Sequence, residues 1–351
     1  MIAKSKKTSP VQRAAAVLIF AVLAGVGLTD AYPAQPPFNF GTPTNVGTPV
    51  NTSADDGNFC ISADGLELYF ASTRQGVYPD FDLYVMRRAS ITEEWSDPAN
   101  LGPTINSTSY DATPCISPDG LELFFSSERP GGCGKPDLWV ITRPTRGGSW
   151  GTPVNLGLTV NSGQWDQAPT ISSDGLTLYF ESDRQGHGDI WFIARASTHD
   201  AWTSPQALGA PVNTTYGEWG PCLSRDGLVL FFTSNNRPGG MGDYDIWVTT
   251  RATIEGQWSV PVNLGPGVNS PVKELVPTLS FDGSVLYFAS NRPGGYGGYD
   301  IWQVPILSAP TCGDAEHPYP AVDLNKDCRV DLADLAVLLA HWLECTAPEC
   351  E

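Results

Sequence analysis

Phe40-Gly41-Thr42-Pro43-Thr44-Asn45-Val46-Gly47, followed by Val50-Asn51, stands near the start of the chain without the strands that should precede it. Its companions lie downstream, as Trp95-Pro98-Asn100-Leu101-Gly102, Trp150-Pro153-Asn155-Leu156-Gly157 and Trp258-Pro261-Asn263-Leu264-Gly265. In each downstream case the segment is the fourth and last piece of a repeat. The repeat is marked by Asp-Gly at Asp64-Gly65, Asp119-Gly120, Asp174-Gly175, Asp226-Gly227 and Asp282-Gly283, with spacings of 55, 55, 52 and 56 residues. Self-similarity at such a period signals a repeat architecture.

Within each unit, Ser and one variable residue precede Asp-Gly. An alternating strand follows, Leu66 to Ser72 in the first unit and Val285 to Ser290 in the last, so each unit opens with a β-hairpin. Next come an Arg in a glycine-rich stretch, as in Arg237-Pro238-Gly239-Gly240, and a third strand opening at Asp82, Asp137, Asp189, Asp245 or Asp300. Four strands per unit is the count of a propeller blade. The fifth unit stops at Ile306 after three strands, and the orphan segment at Phe40 supplies the missing one. A strand from the N-terminal side then closes the ring and removes open edges. The expectation is an all-β, five-bladed β-propeller closed by an N-terminal strand, with a small helical calcium-loop module at the C-terminus.

These units resemble the WD-repeat-like propeller repeats of the TolB type, whose pattern is Pro-x-x-Ser-x-Asp-Gly, Leu-x-Phe-x-Ser-x-Arg and Asp-Ile-Trp/Tyr. The resemblance covers residues 38 to 306 and implies a propeller, with protein contacts or envelope organisation as its frequent use. Fold alone does not fix function.

The chain divides into 1–31, 32–308 and 309–351. In the first part, Lys4, Lys6, Lys7 and Arg13 precede the apolar run Ala14 to Leu28, and a cleavage point follows Ala31, which reads as a signal peptide. The run is shorter than a bilayer-spanning helix. Without residues 1 to 31 the chain keeps 16 Lys plus Arg against 37 Asp plus Glu, a formal charge of about −21. That field repels phosphate backbones and anionic headgroups and favours cations and basic partners. The expectation is a secreted, cell-surface or periplasmic monomer with a protein or polysaccharide partner, no nucleic acid and no membrane span after cleavage. Eight cysteines permit disulfides in an exported chain. Cys60, Cys115, Cys133 and Cys222 fall in the repeats, and Cys312, Cys328, Cys345 and Cys350 crowd the last forty residues.

Eight residues before each Asp-Gly stands a carboxylate: Asp56, Asp111, Asp166, Glu218 and Glu274. Strand order places these acids on the face shared by the links from strand four to strand one and from strand two to strand three. A ring of acids about 8 Å apart would repel by roughly 2 kcal/mol per pair at an effective dielectric near 20, and so retain protons or attract a cation or basic ligand. The alternative is that each acid fastens a turn in its own blade. Tyr110, Trp165, Tyr216 and Trp219 lie beside the acids, and aromatics interleaved with carboxylates suit sugar faces or cationic side chains, although a Trp is more often packed in a core. The five Arg residues, Arg74, Arg129, Arg184, Arg237 and Arg292, are expected to pair with the strand-three Asp of the same blade. Cys60, Cys115 and Cys222 share one repeat position with Thr170 and Thr278, as small side chains of the innermost strand.

Catalytic signatures are thin. Only His187, His199, His317 and His341 are present, with no Gly-x-Ser-x-Gly elbow and no paired-His metal motif. The leading expectation is a non-catalytic binding or scaffold protein. The rival is a glycoside hydrolase on a five-bladed propeller, which requires two carboxylates in different environments.

Residues 323 to 334 place oxygen donors Asp323, Asn325, Asp327, Asp331 and Asp334 at loop positions 1, 3, 5, 9 and 12, with the Arg329 carbonyl at 7. This is an EF-hand-type spacing for Ca²⁺. The segment resembles a dockerin repeat, which implies surface attachment through a cohesin-like or cell-surface partner. Cys328 replaces the usual Gly at position 6, and a single loop stands where a cohesin-binding dockerin has two.

Overall fold

The structure is a computed structural model, and residues 38–74 and 80–307 are described. The signal peptide, the boundaries at 31 and 308 and the calcium-loop residues Asp323, Asn325, Asp327, Arg329, Asp331 and Asp334 lie outside the described residues.

Five antiparallel sheets follow the five repeats. Blade one holds Asp56–Ile61, Glu67–Ser72, Asp82–Arg87 and Ala99–Asn100. Blade two begins at Asp111–Ile116, blade three at Asp166–Ile171, blade four at Glu218–Leu223 and blade five at Glu274–Leu279. The outermost strand of blades one to four is only two residues long. Asp300–Leu307, the third strand of blade five, receives the N-terminal segment in two places: Thr44 and Asn45 pair with Gln303 and Trp302, and Asn39 and Phe40 with Leu307 and Ile306. The predicted closure is therefore observed. On the inner side, Thr278 Oγ1 of blade five donates to the Phe59 carbonyl of blade one at 3.0 Å, and the Phe59 and Tyr287 rings meet edge to face at 4.9 Å.

The second strand of each blade is buried on both sides. Phe70, Phe125, Phe180, Phe232 and Phe288 are fully enclosed, each stabilising the fold by about 2–3 kcal/mol through area removed from water. The short outer strands are held by side chains more than by ladder bonds. In every blade an Asn acts as a substitute strand residue. Asn161 Oδ1 accepts from the Leu138 amide at 2.9 Å and Asn161 Nδ2 donates to the Leu138 carbonyl at 3.1 Å. Asn51, Asn106, Asn213 and Asn269 make the same pair with Ile301, Leu83, Ile190 and Ile246. The repeated Trp is also clamped. Arg88, Arg143, Arg195 and Arg251 stack on Trp95, Trp150, Trp202 and Trp258 at 4.3–4.4 Å and donate to the carbonyl of the hairpin Gly.

Each innermost strand carries a bulge at its third residue: Asn58, Thr113, Ala168, Gly220 and Val276 have φ between 47° and 55°. Left-handed backbone is costly for β-branched Thr113 and Val276, so the surroundings must impose it. Part of that constraint comes from the preceding blade. Ser126 Oγ, Glu181 Oε2 and Thr233 Oγ1 accept from the bulge amides of Ala168, Gly220 and Val276 at 3.2, 3.4 and 3.1 Å.

Candidate functional site

The loop face carries the five repeated acids, and all five are 0% exposed. Asp111 accepts from the Ser107 amide at 2.5 Å, from Ser107 Oγ at 2.8 Å and from Arg129 Nη2 at 2.5 Å. Asp166 repeats this with Ser162 and Arg184, and Asp56 with Thr52 and Arg74. The two Glu versions are looser, because the extra methylene changes the reach: Arg292 to Glu274 is 3.0 Å and Arg237 to Glu218 is 3.6 Å. Burial accordingly raises the Glu218 pKa, against the lowering effect of its Thr214 hydrogen bonds.

Two expectations change here. Each Arg pairs with the strand-one acid, not with the strand-three Asp. The hairpin register is the reason: Ser72 pairs with Asp56, so Arg74, two residues beyond Ser72, comes back over the start of strand one. The strand-three Asp instead closes its own glycine-rich loop, as where Asp137 Oδ2 accepts from the Cys133 amide at 2.6 Å and Asn155 Nδ2 at 2.9 Å. Nor do the five acids form a bare ring, since each meets a guanidinium within its blade and the mutual repulsion is offset pair by pair. Among the described residues no group of three or more His, Cys, Asp or Glu is placed to hold a metal ion.

The aromatics differ in exposure. Trp165 is 36% exposed at the loop edge, and its carbonyl accepts from the Asp183 amide at 3.0 Å. Trp219 is half-buried against Tyr244, with ring centroids at 5.1 Å, and Lys273 Nζ lies 5.0 Å over the same Tyr244 ring. Tyr110 packs edge to face against Phe81 at 5.9 Å. Beside this patch, His187 Nδ1 lies 3.5 Å from Asp189 Oδ1.

One carboxyl escaped the sequence reading. Glu181 is 4% exposed and stands where the other blades carry Ala71, Ser126, Thr233 and Ala289. Gln167 Nε2 donates to it at 2.8 Å. Burial without a cation pushes its pKa up to about 8. Its departure from the repeat was the available signal.

Below this layer the inner strands narrow the channel to a space of about 50 Å³. Cys60, Cys115 and Cys222 line it as buried free thiols, and each sulfur accepts an amide from the next blade, Ile116, Ile171 and Leu279, at 3.3–3.4 Å.

No protein-family model matches the sequence, and no curated protein matches it. Among solved structures, the chain is similar to a thermostable family-43 glycoside hydrolase at 14% identity, covering 75% of this chain and 92% of that one with a TM-score of 0.53. It is also similar to an α-L-arabinofuranosidase from Podospora anserina solved in complex with cellotriose, at 10% identity over 77% and 97% of the two chains, TM-score 0.50. TolB from Acinetobacter baumannii matches at 16% identity over 87% and 72%, TM-score 0.47. The two hydrolase likenesses are likenesses of fold: this chain is a five-bladed β-propeller.

Proposed function

We propose that this chain is an exported, non-catalytic binding or scaffold protein, working at the cell surface, in the periplasm or outside the cell. One observation carries the reading: the arginine clasp on a buried acid recurs in all five blades, committing Asp56, Asp111, Asp166, Glu218 and Glu274 to holding the loops. Ligand contact then falls to what those loops and the strand starts beside them display, above all Trp165, Trp219 and its Tyr244–Lys273 neighbours. Flat aromatic faces beside amides and carboxylates suit a glycan or a protein partner. The tail adds a calcium-stiffened attachment module, for which hard oxygen donors at Asp323, Asn325, Asp327, Asp331 and Asp334 with the Arg329 carbonyl are the right chemistry; bound Ca²⁺ would supply rigidity to that loop.

The rival reading, a glycoside hydrolase, has Glu181 in its favour, because a carboxyl protonated at neutral pH is what a general acid requires. Its enclosure weighs against direct substrate contact.

A glycan array run with a hydrolysis screen separates the two. Binding without turnover, weakened at least fivefold by Trp165→Ala or Trp219→Ala, is the expected result. Turnover that disappears in a folded Glu181→Gln protein would establish the enzyme instead. Calcium titration calorimetry of the full chain, with Asp323→Asn and Asp327→Asn, tests the tail separately.

A further inference from the structure

The opposite face of the propeller carries a second opening, at the hairpin end of the channel. Each hairpin turn reads Ser-x-Asp-Gly. Its Ser hydroxyl donates to its Asp Oδ1 at 2.5–2.7 Å in all five blades, and its Gly takes φ between 69° and 74°. Ser, Asp and Gly are thereby fixed by the turn, and only the variable position is free of it. That position differs in every blade, as Ala63, Pro118, Ser173, Arg225 and Phe281, and all five line the mouth.

Beneath this rim the channel widens into an apolar funnel of about 250 Å³, walled by Ile61, Ile116, Ile171, Leu223 and Leu279. Pockets for drug-sized ligands run to about 300–1,000 Å³, so this smaller funnel suits a single large side chain. It is also lopsided. Arg225 stacks on Phe281 at 4.2 Å and raises a wall over blades four and five, while Ala63, Pro118 and Ser173 leave the other side low. Phe281 is 37% exposed there.

The rim is acidic. Asp64 faces Arg146, whereas Asp174, Asp226 and Asp282 pair with no cation among the described residues. The Ser224 and Ser280 hydroxyls hold the Asp226 and Asp282 carboxyls below the usual range, so both stay ionised. Among the described residues Arg225 is the one cation in the lining and is stacked on Phe281, and Asp226 and Asp282 line the hollow beside it, so an apolar socket flanked by carboxylates matches an apolar side chain flanked by positive charge. The strongly negative charge of the whole chain steers the same class of partner.

We propose that this mouth docks a basic peptide segment of a protein partner, which inserts one apolar side chain into the funnel and lays Lys or Arg over Asp174, Asp226 and Asp282. An anchor in a desolvated socket with a polar rim is the usual layout of a protein contact. The site is independent of the loop-face reading and lies on the other side of the ring.

The test is selection of the full chain against a displayed random octapeptide library, followed by titration of the enriched peptides. Enriched sequences should carry Leu, Met or an aromatic between Lys or Arg residues. Their Kd should rise at least tenfold with Ala63→Trp, which plugs the mouth from the rim without disturbing the walls. Asp226→Asn with Asp282→Asn should raise Kd several-fold and flatten its salt dependence. Trp165→Ala, which weakens binding at the loop face, should leave the Kd of these peptides unchanged, and so keeps this site distinct from the loop face. If Ala63→Trp lowers the unfolding midpoint, Ser173→Trp serves as the second plug. Enrichment of acidic or featureless peptides, or binding indifferent to both plugs, overturns the proposal. Self-association abolished by the plugs, with no peptide enriched, would also overturn it by assigning the mouth to a second copy of the chain.

Discussion

Arg129 Nη2 lies 2.5 Å from Asp111 Oδ1, and the same guanidinium stacks 4.9 Å from Phe125 and 5.2 Å from Trp139. One side chain thus neutralises a buried acid, covers two core rings and donates to the Ile105 carbonyl at 2.5 Å. A Lys offers a point charge and neither the fork nor the stack. This relationship recurs around the ring, and it makes the loop face a product of five similar fasteners.

Removing the cation from such a pair leaves an uncompensated buried charge. Arg129→Met should lower unfolding free energy by about 3–5 kcal/mol, and Arg129→Lys by less. Arg87→Met breaks the Glu67 pair at the surface, where the Arg is 52% exposed, and should cost no more than about 1 kcal/mol. Equilibrium urea unfolding of the three variants checks the ranking, and equal losses at Arg129 and Arg87 would contradict it.

The Asn substitute strand gives a second prediction. Asn161→Ala leaves the buried Leu138 amide without its partner, while the Leu138 carbonyl keeps the Leu156 amide at 3.0 Å, a loss on the order of 1–3 kcal/mol. Asn213→Ala should cost less. Asn161 also donates to Asn155 Oδ1 at 3.0 Å, whereas Ala207 stands at the position matching Asn155 in blade three. Urea midpoints of the two variants decide it.

Glu181 couples stability to pH. Its pKa is about 8 folded, against an ordinary 4.5. Below pH 4.5 both states are protonated and the group contributes no difference. As pH rises from 4.5 to 8 the unfolded chain ionises while the folded one keeps its proton, so stability falls across that window, and it levels above 8. Glu181→Gln removes this slope. The variant should gain on the wild type between pH 5 and pH 8 by an amount on the order of a few kcal/mol, read from urea unfolding at both values. A constant difference between the two proteins would show that Glu181 does not titrate as described.

Much of the fold was legible because repetition made it so. Five Asp-Gly turns, alternating strands and the orphan segment at Phe40 fix the blade count and the closure without coordinates. The side-chain pairings were less legible, because sequence proximity competes with register. Arg129 lies eight residues before Asp137 and eighteen after Asp111, yet the hairpin returns it to Asp111. The Asn lock could have been seen as a second Asn six residues after the first, at Asn45 and Asn51, Asn100 and Asn106, Asn155 and Asn161, and Asn263 and Asn269. Glu181 and the rim residues Arg225 and Phe281 break the repeat. Such departures mark what the fold does not require, and a search for regularity passes over them.

The central claim is that the segment from Asn39 to Asn51 belongs to blade five and locks the ring. Native-state hydrogen exchange reads it directly, because the Val46 amide donates to the Ile301 carbonyl at 3.1 Å and the Ile301 amide to Asn51 Oδ1 at 2.8 Å. Both should exchange with the same opening free energy as the Leu138 amide in blade two, the signature of one cooperative unit. Rapid exchange at Val46 and Ile301 while Leu138 stays protected would mean that the ring is open, and would contradict the account.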